Sequence, residues 1–255
     1  MLLEKSEIPQ FDIMFPEFKL GKHILILGST GSGKTNFLIW LISELLKKGY
    51  RLVIFNPIGH LELEKLSNVV LNEKDIFNDK LEQFLNDYTI NSICITPNES
   101  FLISDFKGMR ILTDRICKII YFHEDIVYTK MMGKKGKIKD VDFRRRSNLI
   151  FVNDELMFND DRENLTKFYH AILHRGQNLG ISHIGNTQRN QYISKLITTQ
   201  SIYKIIFQLD KYDITALKDK IKNIELVEFL PDYHFISTYK DRKIKFFKPL
   251  PLLKE

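Results

Sequence analysis

Long apolar runs are missing from this 255-residue chain, and none approaches the roughly 18 residues that a membrane-spanning helix needs. The first fifteen residues carry acidic side chains and no apolar stretch closed by small residues, which excludes a secretory signal there. Cysteine is scarce. The two present, Cys94 and Cys117, sit among isoleucines, so they read as core thiols of a reducing compartment rather than a disulfide framework. Metal-ligand spacing is also absent. His170 and His174 are four residues apart, but no HExxH pattern or third ligand accompanies them. There is no internal repeat and no low-complexity linker, which excludes solenoids and tandem arrays.

What is present suits one large α/β domain, with 44% hydrophobic and 27% charged residues. The net charge of +6 is local. Between Lys130 and Arg146 stand eight basic and two acidic residues, so this stretch holds the whole excess and the rest of the chain is neutral. Gly133 and Gly136 make it a loop, at about 130–147. Such a loop is either a local anion-binding element, with Lys134, Lys135, Lys137, Arg144, Arg145 and Arg146 as DNA-binding candidates, or a solvated surface.

Residues 1–21 read as a lead-in broken by Pro9 and Pro16, and 22–255 as a single domain. Apolar periodicity predicts strands at 23–27, 51–55, 92–96, 149–152, 181–185 and 201–209. Two more strand-like runs, 226–230 and 234–239, precede a basic apolar tail. Helices are predicted at 35–48, 75–87, 107–131, 162–174 and 213–221. Strands alternating with helices imply a mainly parallel sheet with helices on both faces.

Between the first strand and the first helix lies Gly28-Ser29-Thr30-Gly31-Ser32-Gly33-Lys34-Thr35. A polyphosphate is a dense anion, and holding it requires backbone N–H groups aimed inward, which bulky side chains would block. Three glycines let the loop curl into such a nest at the positive end of a helix. Lys34 can then reach the β- and γ-phosphates of ATP, and the Thr35 hydroxyl can ligate Mg²⁺. The strand 149–152 ends at Asp154 and Glu155, a place suited to an aspartate that holds Mg²⁺ and a glutamate that polarises attacking water. Gln188, at another strand end, can orient water, although a surface amide is its plain alternative. Arg175 precedes a glycine at a predicted helix end, where it could reach a neighbour's nucleotide as an arginine finger; the helix dipole alone also favours an arginine there. Arg189 is a second candidate for that role.

Taken together these blocks resemble the HerA–FtsK branch of P-loop ATPases. Phe55-Asn56-Pro57 is similar to a stretch of that branch, and 174–189, HRGQNLGISHIGNTQR, is similar to its arginine, small-residue and TQR run. Asn56 stands where an aspartate is common, and Asn190 where proline usually follows the run. The resemblance implies a RecA-like (ASCE) core, a hexameric ring with nucleotide sites between subunits, and duplex DNA in the channel. It implies Glu155 as catalytic base, Gln188 as sensor and Arg175 as the finger in trans. The short length is similar to viral genome-packaging ATPases. That makes a packaging motor, with capsid or portal-vertex proteins as partners in the host cytoplasm or on the virion, the leading expectation. A conjugation coupling ATPase, a small-molecule phosphotransferase and a nucleotide-gated assembly protein are the competing ones.

Overall fold

The computed structural model describes residues 7–99, 101, 106–132, 149–156, 160–161, 164–187, 193–240 and 243–250. Five strands are buried at every residue: β1 (His23–Leu27), β2 (Arg51–Phe55), β4 (Ser92–Ile95), β5 (Leu149–Asn153) and β8 (Ser182–Thr187). Burial on both faces is what parallel strands covered by crossover helices require. With β3 (Val69–Leu71), β9 (Ser201–Phe207), β10 (Phe235–Tyr239) and β11 (Lys243–Phe247) they form one sheet, in the order β11-β10-β9-β1-β8-β5-β2-β4-β3. From β9 to β3 neighbours are parallel, and β10 and β11 are antiparallel additions at one edge. A small hairpin, β6 (Asp160–Asp161) and β7 (Asn164–Leu165), stands apart.

The alternation of side chains divides the core between the two faces. Ile24, Ile26, Leu52, Ile54, Ile150 and Val152 pack under α2 (Lys34–Lys47) and the one-turn α1 (Phe11–Met14). Leu25, Leu27, Val53, Phe55 and Phe151 face the opposite layer, built from the long α6 (Phe106–Met132), α7 (Lys167–Leu179), α8 (Lys195–Gln200) and α9 (Lys211–Leu217). The expected α/β fold with a mainly parallel sheet and helices on both faces is therefore present. Order matters more than strand count, because β8 lies between β1 and β5. The glycine loop and the acidic pair are thus one strand apart, with the end of β8 between them. Among the described residues no helix is long and apolar enough to cross a membrane.

Several expectations are corrected. Phe11, Met14 and Phe15, in the segment read as a lead-in, are buried in the core of the α2 face. The helix expected at 75–87 is two, α4 (Glu73–Phe77) and α5 (Lys80–Asn86), parted where Asp79 takes a left-handed φ of 59°. An Asn72–Asp75 capping box starts the first of them. α3 (Leu61–Lys65) and the edge strand β3 were not expected. The helix read as 162–174 begins at Lys167 and passes through Gly176 to stop at Gly180, which has φ 75°. The strand-like run 226–230 is a 3₁₀-helix, Ile224–Phe229, whose buried Ile224, Val227 and Leu230 recur every three residues as that helix demands. The basic apolar tail contains β11, an edge strand whose alternating lysines blunt the open edge.

Two neutral histidines lie under the sheet. The backbone N–H of His183 donates to His23 Nδ1 at 3.0 Å, so the proton of His23 is on Nε2, 3.1 Å from the Leu173 carbonyl that accepts it. His183 Nε2 meets the Tyr169 hydroxyl at 2.7 Å. Burial pushes the pKa of His23 down to about 4, and that of His183 well below the ordinary histidine value, with the nearby His23 pushing the same way.

Candidate functional site

The three parts of the site meet at the carboxyl ends of β1, β8 and β5, where an open parallel sheet places its ligands. The glycine loop leaves β1 and enters α2, whose N-cap is Gly33 in a left-handed conformation (φ 99°) with no capping side chain. The first-turn N–H groups of a 14-residue helix therefore face the loop without a side-chain acceptor. Crowding accounts for Gly28: a Cβ there would lie 2.6 Å from Ser32 Oγ and 2.8 Å from Phe207 Cβ. Ser32 Oγ is buried with no hydrogen-bond partner among the described residues. An orphaned hydroxyl inside a nest of N–H groups suits an anion rather than a packed turn.

Lys34 is buried, and its ammonium donates to the carbonyls of Gly28 and Ser29, both at 2.7 Å. Burial lowers its pKa to about 8, against the pull of the Glu155, Asp154 and Asp213 carboxylates. Thr35 lies in the first turn of α2. Asp154 follows β5 with its N–H donated to the Phe55 carbonyl at 3.0 Å, and it is 1% exposed. Burial raises its pKa to about 7, opposed by the Asn186 amide and by Lys34. Asn186 Nδ2 donates to Asp154 Oδ1 at 2.9 Å, whereas Oδ2 has no hydrogen-bond partner among the described residues and lies 3.4 Å from His60 Nε2. The contact with His60 is an ion-pair distance without hydrogen-bond geometry. A buried carboxylate oxygen with its acceptor capacity unspent, beside the loop lysine, is what a divalent cation would use. Glu155 is 2% exposed, and the Thr187 hydroxyl lies 2.9 Å from its Oε1.

The sequence pointed to Lys34, Thr35, Asp154 and Glu155, and the fold brings the loop and the acidic pair to one end of the sheet. It missed Asn186 and Thr187, the last two residues of β8, which hold the acidic pair from 32 positions away. Both stand in the run 174–189 that carries the family resemblance, but there only Gln188 and the arginines were given roles. It also missed His60 and Asp213. Asn56, noted only as a departure, has a part: its amide donates to the His60 carbonyl at 3.1 Å and its oxygen accepts from the His60 N–H at 2.9 Å. That turn sets His60 against Asp154. Gln188, Arg189 and the basic-loop residues Lys134, Lys135, Lys137, Arg144, Arg145 and Arg146 lie outside the described residues.

Arg175 is placed elsewhere. It is exposed near the end of α7, with Nη1 donating to the Tyr121 hydroxyl at 3.3 Å. From there β8 must climb six residues to Thr187, a distance of roughly 20 Å. Arg175 therefore cannot serve the nucleotide end of its own subunit.

A stability consequence follows from Asp154. Its folded pKa of about 7 lies above the ordinary 3.8, so the stability it contributes is complete below pH 3.8 and lost as pH rises through 7. The largest loss is about 4 kcal/mol on this shift. Asp154→Asn should therefore raise the melting temperature at pH 8, and an unchanged or lowered value would show that the carboxylate is not strained. His23 has the opposite sign. Its stability is present above pH 6.5 and lost as pH falls through 4, by about 3 kcal/mol. Wild-type acid sensitivity is thus partly masked, and Asp154→Asn should steepen the loss of stability between pH 6.5 and 4.

The family model of the helicase HerA central domain matches residues 16–223. No curated protein matches the chain. Among solved structures, the genome-packaging NTPase B204 of Sulfolobus turreted icosahedral virus 2, in complex with ATP-gammaS, superposes with a TM-score of 0.67 at 15% identity, covering 91% of this chain and 98% of that one. The bacterial conjugative coupling protein TrwBdeltaN70 gives 0.64 at 12% identity, covering 92% and 87%. The pCW3 conjugation coupling protein TcpA gives 0.56 at 17% identity, covering 95% and 69%.

Proposed function

We propose that this chain, which belongs to the family of the helicase HerA central domain, is a DNA-translocating motor that packages a viral genome. The chain is a P-loop ATPase. The observation that carries the rest is the meeting of the Lys34 ammonium, the Asp154–Glu155 pair and the end of β8 at the carboxyl end of the sheet, within a family of this kind. In this reading the triphosphate lies in the glycine nest and Lys34 turns from the Gly28 and Ser29 carbonyls to its β- and γ-oxygens. Thr35 and Asp154 would hold Mg²⁺, which neutralises charge on the transferred phosphoryl group. Glu155 takes the proton of the attacking water, with its carboxylate aimed by Thr187.

Packaging is favoured over other translocation because B204, a packaging NTPase, matches over nearly its whole length. TrwBdeltaN70 and TcpA support the second reading, a conjugation coupling ATPase. Both readings place the chain in a homo-oligomeric ring, with hexamers as the expected form and DNA in the channel. In such a ring Arg175 acts, if at all, across a subunit boundary. Capsid or portal-vertex partners and a host-cytoplasmic or virion location belong to the packaging reading alone.

The test is displacement of a third strand from a triplex at the end of linear duplex DNA. ATP-dependent displacement, absent in Glu155→Gln, is the expected result. Hydrolysis without displacement by an assembled ring would overturn translocation.

A further inference from the structure

Beside the phosphate nest, on the face of α2 away from Asp154, a cleft of about 280 Å³ opens next to Gly33. Its walls are Asn36, Phe207, Tyr233, Pro249 and Leu250. Phe207 and Phe235 form the rigid floor, with ring centroids 5.0 Å apart and both rings packed on Phe37. Tyr233 is different. It stands in the turn that the His234 N–H closes on the Pro231 carbonyl, 56% exposed and with φ 61°. A bulky residue rarely adopts that conformation, and it is retained where the surroundings or a function require it. Its ring reaches the helix start: a Cβ at Gly33 would lie 3.3 Å from Tyr233 Cδ1. Glycine at that position therefore serves two ends, the left-handed turn and the approach of an aromatic ring to the nest.

We propose that this cleft holds the nucleobase by stacking on Tyr233 without reading its edge, so that the site accepts nucleoside phosphates of all four bases with comparable affinity. The inference rests on the P-loop reading above and goes beyond it to the substrate class. A nucleotide whose phosphates enter at the N-terminus of α2 extends its sugar and base past Gly33 and Asn36. The wall it meets there is apolar and aromatic. Among the described lining residues, Asn36 and the Tyr233 hydroxyl are the only polar side-chain groups, too few to distinguish the donor and acceptor patterns of the bases. Every base has a π-face, so a stacking platform is tolerant of base identity. Strong rejection of a wrong base requires buried polar groups that it leaves unpaired, and this wall does not supply a set of them.

The experiment is calorimetric titration of ADP, GDP, CDP, UDP and pyrophosphate, each with Mg²⁺, into wild-type protein and into Tyr233→Ala, Tyr233→Phe and Lys34→Ala. Diphosphates avoid turnover, and pyrophosphate lacks the base. The four nucleotides should bind wild type within about tenfold of one another. Tyr233→Ala should weaken all four by about tenfold or more and leave pyrophosphate unchanged, while Tyr233→Phe stays near wild type. A preference for ADP above about a hundredfold would overturn the base-indifferent wall. Equal weakening of pyrophosphate in Tyr233→Ala would show that the ring supports the loop rather than the base, and unchanged ADP binding would remove Tyr233 from the site. Lys34→Ala separates the two levels. If it binds pyrophosphate and ADP like wild type, the P-loop reading itself fails.

Discussion

Lys34→Ala is expected to lower ATP turnover by about 10²–10³-fold or more, the scale seen when a preorganised group that stabilises transition-state charge is removed. The structure gives a reason beyond the loss of one contact. The ammonium is the cation set against the Asp154 and Glu155 carboxylates, and it lies among groups that are themselves out of water. Without it, the already raised pKa of Asp154 moves further up, so that aspartate loses charge where charge is needed. The loop's backbone should survive, since Lys34 meets the Gly28 and Ser29 carbonyls through its side chain only. Steady-state hydrolysis with a melting curve checks both halves. Retained turnover in a folded variant would show that the glycine loop is not the active site.

The second large effect is at Glu155. Glu155→Gln should bind ATP with little loss and hydrolyse it slower by about 10²–10⁴-fold, the range of a lost general base. Glutamine keeps an oxygen that can accept from the Thr187 hydroxyl now 2.9 Å away, so the side chain stays in place while its basicity goes. Equilibrium binding of radiolabelled ATP and single-turnover rates separate the two quantities. Turnover near wild type would take the base assignment from Glu155 and leave Thr187 with a structural role.

The legible parts of this chain were those whose information is local. The β1–loop–α2 unit declares itself because phosphate chemistry needs particular residues within eight positions. β5 and its acidic end were readable because a short apolar run rich in β-branched and aromatic residues reads as a buried strand, and a carboxylate pair at its close is conspicuous. The amphipathic stripe of α6 was readable for the same reason. What failed was punctuation and pairing. Gly176 looked like a helix stop but lies inside α7, and Gly180 is the residue that turns left-handed. The run 226–230 has strand composition, yet its buried residues recur every three positions rather than every two. The contacts of Asn186 and Thr187 exist only once β8 is inserted between β1 and β5, and that of His60 only once β2 pairs with β5. That insertion is a fact of sheet order, which periodicity does not encode. Asn56 shows the limit clearly: as a letter it was a departure, and as a side chain it shapes the turn that carries His60.

Both large effects would also be met by a P-loop ATPase that never touches DNA, so the central claim needs its own measurement. Steady-state ATP hydrolysis at low salt, with and without linear duplex DNA, is the most direct. The account predicts clear stimulation by duplex DNA, lost in Lys34→Ala and weakened as salt rises, since phosphate contacts dominate such binding. Measurable hydrolysis that is indifferent to DNA across the same salt range would contradict it.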